Sequence, residues 1–281
     1  MKKNSKKQKN SWVNFILILM LVIGLSLLLY PPVSNYWNSF TQSKAIANYS
    51  DAISKMDNEE YRIELEKTQA YNQTLLGRLN PYLLSEEQRA EYNARLDVTG
   101  TGVMGYIEIP SVNIMIPVYH GTDETTLQVA VGHLDWTSMP TGGESTHCVL
   151  SGHRGLPSAR LFTDLDKLVV GDVFMIHVLD QTFTYEIDQI LVVEPHDTRA
   201  LLIEEGKDLV TLVTCTPYGV NSHRMLVRGH RIENLEAAKV VRVTADAIIV
   251  DKLLVAPFVL APILLVMLVW LLIPKRKHSD N

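Results

Sequence analysis

Residues 12–30 of this 281-residue chain carry no charged side chain, and only Asn14, Gly24 and Ser26 interrupt their apolar character. At about 1.5 Å of rise per residue, a helix of that length covers close to the ~30 Å of hydrocarbon in a bilayer. Five lysines stand in the first ten residues. The bias of basic residues toward the cytoplasmic side keeps that end inside and sends the rest of the chain out. A cleaved signal peptide is the competing reading, but the small-residue triplet Ala45-Ile46-Ala47 lies too far beyond the apolar run to serve as its cleavage site. A second uncharged run, 253–273, contains Pro257 and Pro262, begins after Lys252 and is followed by Lys275, Arg276 and Lys277, with Trp270 near one end as an interfacial aromatic. It also reads as a span, because a buried core helix of that length would show a polar face. The expected layout is a basic tail (1–11), a span (12–30), an exported region, a second span (253–273) and an inside tail (274–281).

That frame limits what the rest can be. Apolar residues make up 47% of the chain and charged ones 20%, enough for one substantial domain and too little for a second catalytic one. The net charge of −5, with no basic stripe outside the termini, excludes nucleic acid as a partner. There are two cysteines, Cys148 and Cys215, neither in a CxxC pair, so no zinc knuckle is indicated, and no metal or cofactor is expected. A disulfide between them stays open at this point, although a thiol kept for chemistry is the better reading of Cys215.

Residues 31–100 read as a helical lead-in. Ile46, Tyr49, Ile53 and Met56 recur at helical spacing, and 58–79 continue the pattern less cleanly. Asn80-Pro81 breaks it, since the residue before proline is pushed out of the helical region. Ser85 then offers an N-cap, with Gln88 completing a capping box. From 101 to 235 the texture changes to short β-branched and aromatic runs between Gly, Pro, Asp and Asn: 106–109, 114–116, 148–150, 173–178, 182–187, 190–193, 209–214 and 224–228. Eight such runs imply a mainly β fold closed into a barrel. Short helices are expected at 124–129 and 159–165, and a linker at 236–252.

Cys215 ends the apolar run 209–214 and is followed by Thr216-Pro217-Tyr218-Gly219, a turn sequence. A strand end puts its thiol at the rim of the barrel. Cysteine attacks as the thiolate, which needs a cation or imidazole nearby. By location alone a small buried hydrophobe is an equally good reading. His153 stands where a strand gives way to a glycine-flanked loop, Ser151-Gly152-His153-Arg154-Gly155, a setting that none of the other eight histidines shares, and imidazole both holds and releases a proton near neutral pH. Arg224 lies nine residues after Cys215 at the start of the next strand-like run. If the two strands pair, its guanidinium can bind an oxyanion beside the thiol. Arg228 and Arg231 compete for that role.

Taken together, Thr211-Leu212-Val213-Thr214-Cys215, Ser151-Gly152-His153-Arg154-Gly155 and Asn221-Ser222-His223-Arg224 resemble the signature of the sortases over roughly residues 100–232. The resemblance implies an eight-stranded sortase barrel, a cysteine transpeptidase, and Cys215, His153 and Arg224 as nucleophile, acid/base partner and oxyanion clamp. It further implies cleavage of a Thr-Gly bond in an LPxTG-like sorting signal through a thioacyl enzyme that an amine then resolves. The second span and the long lead-in are similar to the class C, pilus-assembling members, whose acyl acceptor is a pilin lysine. Many of those carry Asp-Pro-aromatic in a lid ahead of the barrel. Here Asn80-Pro81-Tyr82 stands in that place, with the acid replaced, so a charge-assisted contact is lost. Two rivals remain: a housekeeping sortase that anchors surface proteins to the wall, and a non-catalytic membrane-tethered binding module that kept the barrel.

Overall fold

The structure, a computed structural model, describes residues 5–78 and 80–234, with side chains from residue 12 onward. The second apolar run at 253–273, the linker at 236–252 and the tail at 274–281 lie outside the described residues. The chain divides into two compact units; within the described residues these are 5–36 and 37–234.

Eight strands close into a barrel: β1 (Val103–Ile109), β2 (Ile114–His120), β3 (Val131–His133), β4 (Thr146–Ser151), β5 (Val173–Val178), β6 (Gln181–Val193), β7 (Asp208–Thr216) and β8 (His223–Ile232). Their order around it is β1-β2-β3-β4-β7-β8-β6-β5. Two pairs are parallel, β2 with β3 and β4 with β7. The second of these sets the ends of β4 and β7 side by side, with Ser151 opposite Val213.

The barrel and its strand number match the sequence reading, but the runs map differently. The runs 182–187 and 190–193 are one strand, β6, whose register shifts between Ile187 and Gln189. Such a bulge leaves one residue unpaired and re-aims it. Here that residue is Asp188, whose carboxylate takes both Nε and Nη2 of Arg228 at 3.0 Å. The eighth strand is instead β3, three residues long. Its middle residue must be glycine, because a Cβ on Gly132 would stand 2.2 Å from the carbonyl oxygen of Gly121. Residues 159–165 do not form the expected helix. They make turns that lead into a 3-10 turn at Leu165–Lys167. The carbonyl that would cap helical bonding from Phe162, that of Ser158, accepts from Asn38 Nδ2 at 2.7 Å, while the Phe162 amide donates to His153 O at 3.1 Å.

The lead-in has three helices. The first, α1 (Ser5–Lys55), runs on through Pro31 and Pro32, so it does not end at 30 as expected and the periodic residues Ile46 to Met56 largely belong to it. Each proline removes one amide donor and crowds the carbonyl four residues back, yet the helix continues through both. This helix is long and apolar enough to cross a membrane, and it is the one such helix among the described residues. Farther along, the Tyr49 hydroxyl donates to Met104 O at 2.9 Å and accepts from Leu179 N at 2.7 Å. Tyr49 is 1% exposed, which pins α1 to β1 and to the β5–β6 turn. Helix α2 (Asn58–Thr74) is opened by a capping box between Asp57 and Glu60, and α3 (Glu86–Ala94) by the expected one between Ser85 and Gln88. The buried Tyr92 hydroxyl of α3 lies 3.0 Å from His133 Nδ1 and accepts from Gly121 N at 2.9 Å. A short α4 (Glu124–Leu127) precedes β3.

Residues alternate across the barrel wall. Cys148, Leu150, Val210, Leu212, Met225 and Val227 face the main core. Val149, Val213 and Leu226 face outward and form a second cluster with Leu201, packed by Leu134, Trp136, Leu191, Val193 and Ala200. An outer face of β4, β7, β8 and β6 is thus walled by the β3–β4 and β6–β7 connections. Cys215 lies on this face.

Candidate active site

Strand β7 reaches its end through an apolar alternation that buries Val210 and Leu212 inward and turns Val213 outward. By the same alternation Cys215 points outward, two residues beyond Val213. It is partly exposed and unbridged. Cys148 is the opposite case: it faces the core at 2% exposure, and burial raises its thiol pKa well above the ordinary value, with the nearby Asp208 charge adding to the effect. A thiol held protonated in an apolar core is a poor nucleophile.

Arg224 is the direct partner of Cys215 across the antiparallel β7–β8 pair. Its Nη1 donates to the carbonyls of Asn221, at 3.3 Å, and His223, at 3.1 Å, so main-chain oxygens hold the side chain in the β7–β8 turn. The two competing arginines are engaged elsewhere. Arg228 gives its fork to Asp188 and its Nη1 to Glu204 Oε1 at 2.8 Å. Arg231 stacks over Phe183 and Tyr185, 4.8 and 5.7 Å from their ring centroids, seven residues farther along β8.

His153 follows directly on the β4 end. The Gly152 amide donates to Val213 O at 3.0 Å, and Thr214 Oγ1 donates to Gly152 O at 2.8 Å. The residue before His153 is therefore bonded to the two residues before Cys215. Gly152 is required at this crossing: a Cβ there would lie 2.7 Å from the Phe162 ring. His153 is half-buried. Thr214 belongs to the signature motif read from the sequence without a role of its own, and its hydroxyl makes this tie.

The segment Asn80-Pro81-Tyr82 seats on both connections that wall the outer face. The Tyr82 ring packs edge-on against Trp136, centroids 4.9 Å apart, and its hydroxyl lies 2.9 Å from Thr198 Oγ1. Pro81 lines a cleft of about 450 Å³ with Leu75, Trp136, Leu201 and Ile203. Asn80 is exposed. Neither Trp136 nor Thr198 was singled out from sequence, since each stands alone in a polar loop. Among the described residues no cluster of His, Cys, Asp and Glu could hold a metal ion.

The sequence profile of the family described as Sortase domain matches residues 107–232, which takes in all the barrel except the start of β1. A solved structure, sortase C1 from Streptococcus agalactiae, is 50% identical and aligns over 68% of this chain and 100% of its own length with a TM-score of 0.66. The chain belongs to the sortase family. Sortase C from Clostridium perfringens, solved with a C-terminal cell wall sorting motif, is 42% identical over 68% of this sortase and 99% of that chain, TM-score 0.60. Sortase D of Bacillus subtilis is 32% identical over 131 residues, 46% of this sortase and 63% of that protein. The structural matches at this identity carry the class C likeness beyond the barrel alone.

Proposed function

We propose that this sortase is a membrane-anchored cysteine transpeptidase that cleaves an LPxTG-like sorting signal and joins pilin subunits through a lysine amine, with Cys215, His153 and Arg224 as its reacting groups. The observation that carries the reading is the pairing of Cys215 with Arg224 across β7 and β8, beside the β4 end from which His153 emerges. The Cys215 thiolate attacks the threonine carbonyl carbon. The oxygen gains negative charge, and the Arg224 guanidinium, too basic to lose its proton, stabilises it. Collapse breaks the Thr-Gly bond, His153 protonates the departing amine, and a thioester remains. An incoming amine then attacks that thioester, gives a proton to His153 and expels Cys215 as thiolate. One residue serves both steps, as microscopic reversibility requires.

The pilus-assembling assignment rests on the class C structures, among them Streptococcus pneumoniae sortase C, whose structure bears on pilin substrate specificity. Helix α1 supplies an anchor; a second span at 253–273 and an extracytoplasmic domain between the two complete the proposed topology. Asn80, Pro81 and Tyr82 act as a lid over the outer face. The deciding experiment incubates the full-length protein in detergent micelles with a purified pilin subunit. Ladders of covalently joined subunits that vanish in Cys215→Ala support the reading. Transfer only to a cell-wall precursor amine, with no ladders, replaces it with the housekeeping one, and no acyl transfer to any amine leaves a binding module.

A further inference from the structure

The loop that carries His153 and the turn that follows Cys215 are joined by a side chain with no role in the chemistry above. Arg154 directly follows His153. Although its loop is at the surface, its side chain is only 9% exposed. It is ion-paired through Nη2 with the Asp166 carboxylate. Its Nη1 donates to Thr216 Oγ1 at 3.4 Å, and its guanidinium lies 5.9 Å from the ring centroid of Tyr218. Thr216 is the residue next to Cys215, and Tyr218 stands two farther on. One planar group therefore touches the carboxylate of the 3-10 turn at Leu165–Lys167, a hydroxyl beside the thiol and an aromatic face in the turn beyond it.

The surrounding backbone is fitted to this contact. Gly155 has φ +78, and a Cβ on it would come within 2.9 Å of the Tyr218 ring. Only glycine lets the loop lie so close to Tyr218 in that conformation. The Gly155 amide donates to Thr163 Oγ1 at 3.2 Å, which fixes the loop from its other side. Arg154 Nε is buried without a hydrogen-bond partner. Desolvating a guanidinium nitrogen in this way carries a free-energy cost, so the side chain is not held by local satisfaction alone. Its charge is matched by Asp166, which points to geometry and not to a free cation acting on the thiol.

We propose that Arg154 is a positioning residue for acyl transfer, bracing the His153 loop against the turn after Cys215 and so fixing the spacing of imidazole and thiol. The inference rests on Cys215 and His153 being the reacting pair. Misplacement of reacting groups by about 1 Å costs up to about 10²-fold in rate, and a lysine keeps the charge while losing both the planar fork and the stacked face. The test uses the full chain in detergent micelles with a sorting-signal peptide and an amine acceptor, reading kcat, KM, the pH profile of kcat/KM and thermal melting. Arg154→Lys is expected to lower kcat about 10–100-fold, to leave KM within about threefold, and to shift the pH profile of kcat/KM, since the spacing of thiolate and imidazolium sets how strongly each charge biases the other's protonation. Asp166→Asn, at a carboxylate 42% exposed and so tolerant of change, moves kcat and the pH profile the same way by a smaller factor. Parental kcat and pH profile in Asp166→Asn, or in a folded Arg154→Lys, overturn the brace. Cys215→Ala and His153→Ala run beside them: if either keeps parental turnover, the reading beneath the inference is wrong, whereas if both are dead and the Arg154 and Asp166 variants are parental, only the brace falls.

Discussion

Removing the Tyr82 ring should open the face on which Cys215 lies. In the structure Tyr82 is held by an edge-on contact with Trp136 at 4.9 Å and a hydroxyl contact with Thr198 at 2.9 Å. Aromatic pairs contribute about 0.5–1.5 kcal/mol and a hydrogen bond a similar net amount. Tyr82 is 47% exposed, so the lower halves of both ranges apply and the seat is worth about 1–2 kcal/mol. With each 1.4 kcal/mol equal to a factor of ten, Tyr82→Ala shifts the closed-to-open ratio by about 5- to 30-fold. The assay is the second-order rate of Cys215 modification by a bulky maleimide, set against iodoacetamide as a small reagent that needs less opening. The bulky reagent should react about 5- to 30-fold faster with Tyr82→Ala than with the parent, and the small one should change less. Thr198→Val removes only the hydroxyl contact and should give a part of the gain, with little further gain when added to Tyr82→Ala. Equal maleimide rates in all four proteins would refute the lid and leave Pro81 as an ordinary turn residue.

Cys215→Ala should abolish transpeptidation with melting unchanged, while Cys148→Ala should stay active and lose about 1–2 kcal/mol from its core position, seen as a melting temperature roughly 2–8 °C lower; the reverse pattern rejects the nucleophile. Arg224→Lys should cost about 10²–10³ in kcat, whereas Arg228→Lys, which breaks the Asp188 and Glu204 contacts, should lower stability by about 1 kcal/mol and leave kcat within about threefold; near-parental turnover in Arg224→Lys moves the clamp elsewhere. His133 is fully buried, and desolvation lowers its pKa from 6.5 to about 4. Between those values the unfolded chain binds a proton that the folded one does not, so stability is full above about pH 6.5 and falls as the pH drops toward 4, by roughly 3 kcal/mol in all. Melting curves over that range should flatten by about one proton in His133→Gln, and an unchanged slope removes this histidine from the acid sensitivity.

How far the chain could be read depended on the sequence distance over which each feature is written. The Ser85 cap of α3 takes four residues, and β7 takes one apolar run ended by a turn, so both were legible. The pairing of Cys215 with Arg224 follows from a strand, a short turn and a strand, again local. Strand β3 was not legible, because three residues show no period and what makes them a strand is pairing with β2 on one side and β4 on the other. The gap at 188–189 in the β6 pattern looked like a turn and is a bulge, since the residue it frees, Asp188, answers Arg228 forty residues away. The helix expected at 159–165 is absent because Leu161 takes a left-handed φ of 35° and the Phe162 amide donates to His153 O, nine residues back, neither of which the local pattern announces. The lid divides along the same line. Asn80-Pro81-Tyr82 was visible as a break, but its seat on Trp136 and Thr198 exists only once the β3–β4 and β6–β7 connections meet over the outer face. The acid missing from the proposed lid then has a physical counterpart. With Asn80 exposed, the segment is held by an aromatic edge and a hydroxyl belonging to two separate loops, so a ligand that displaces either loop is expected to loosen the proposed lid.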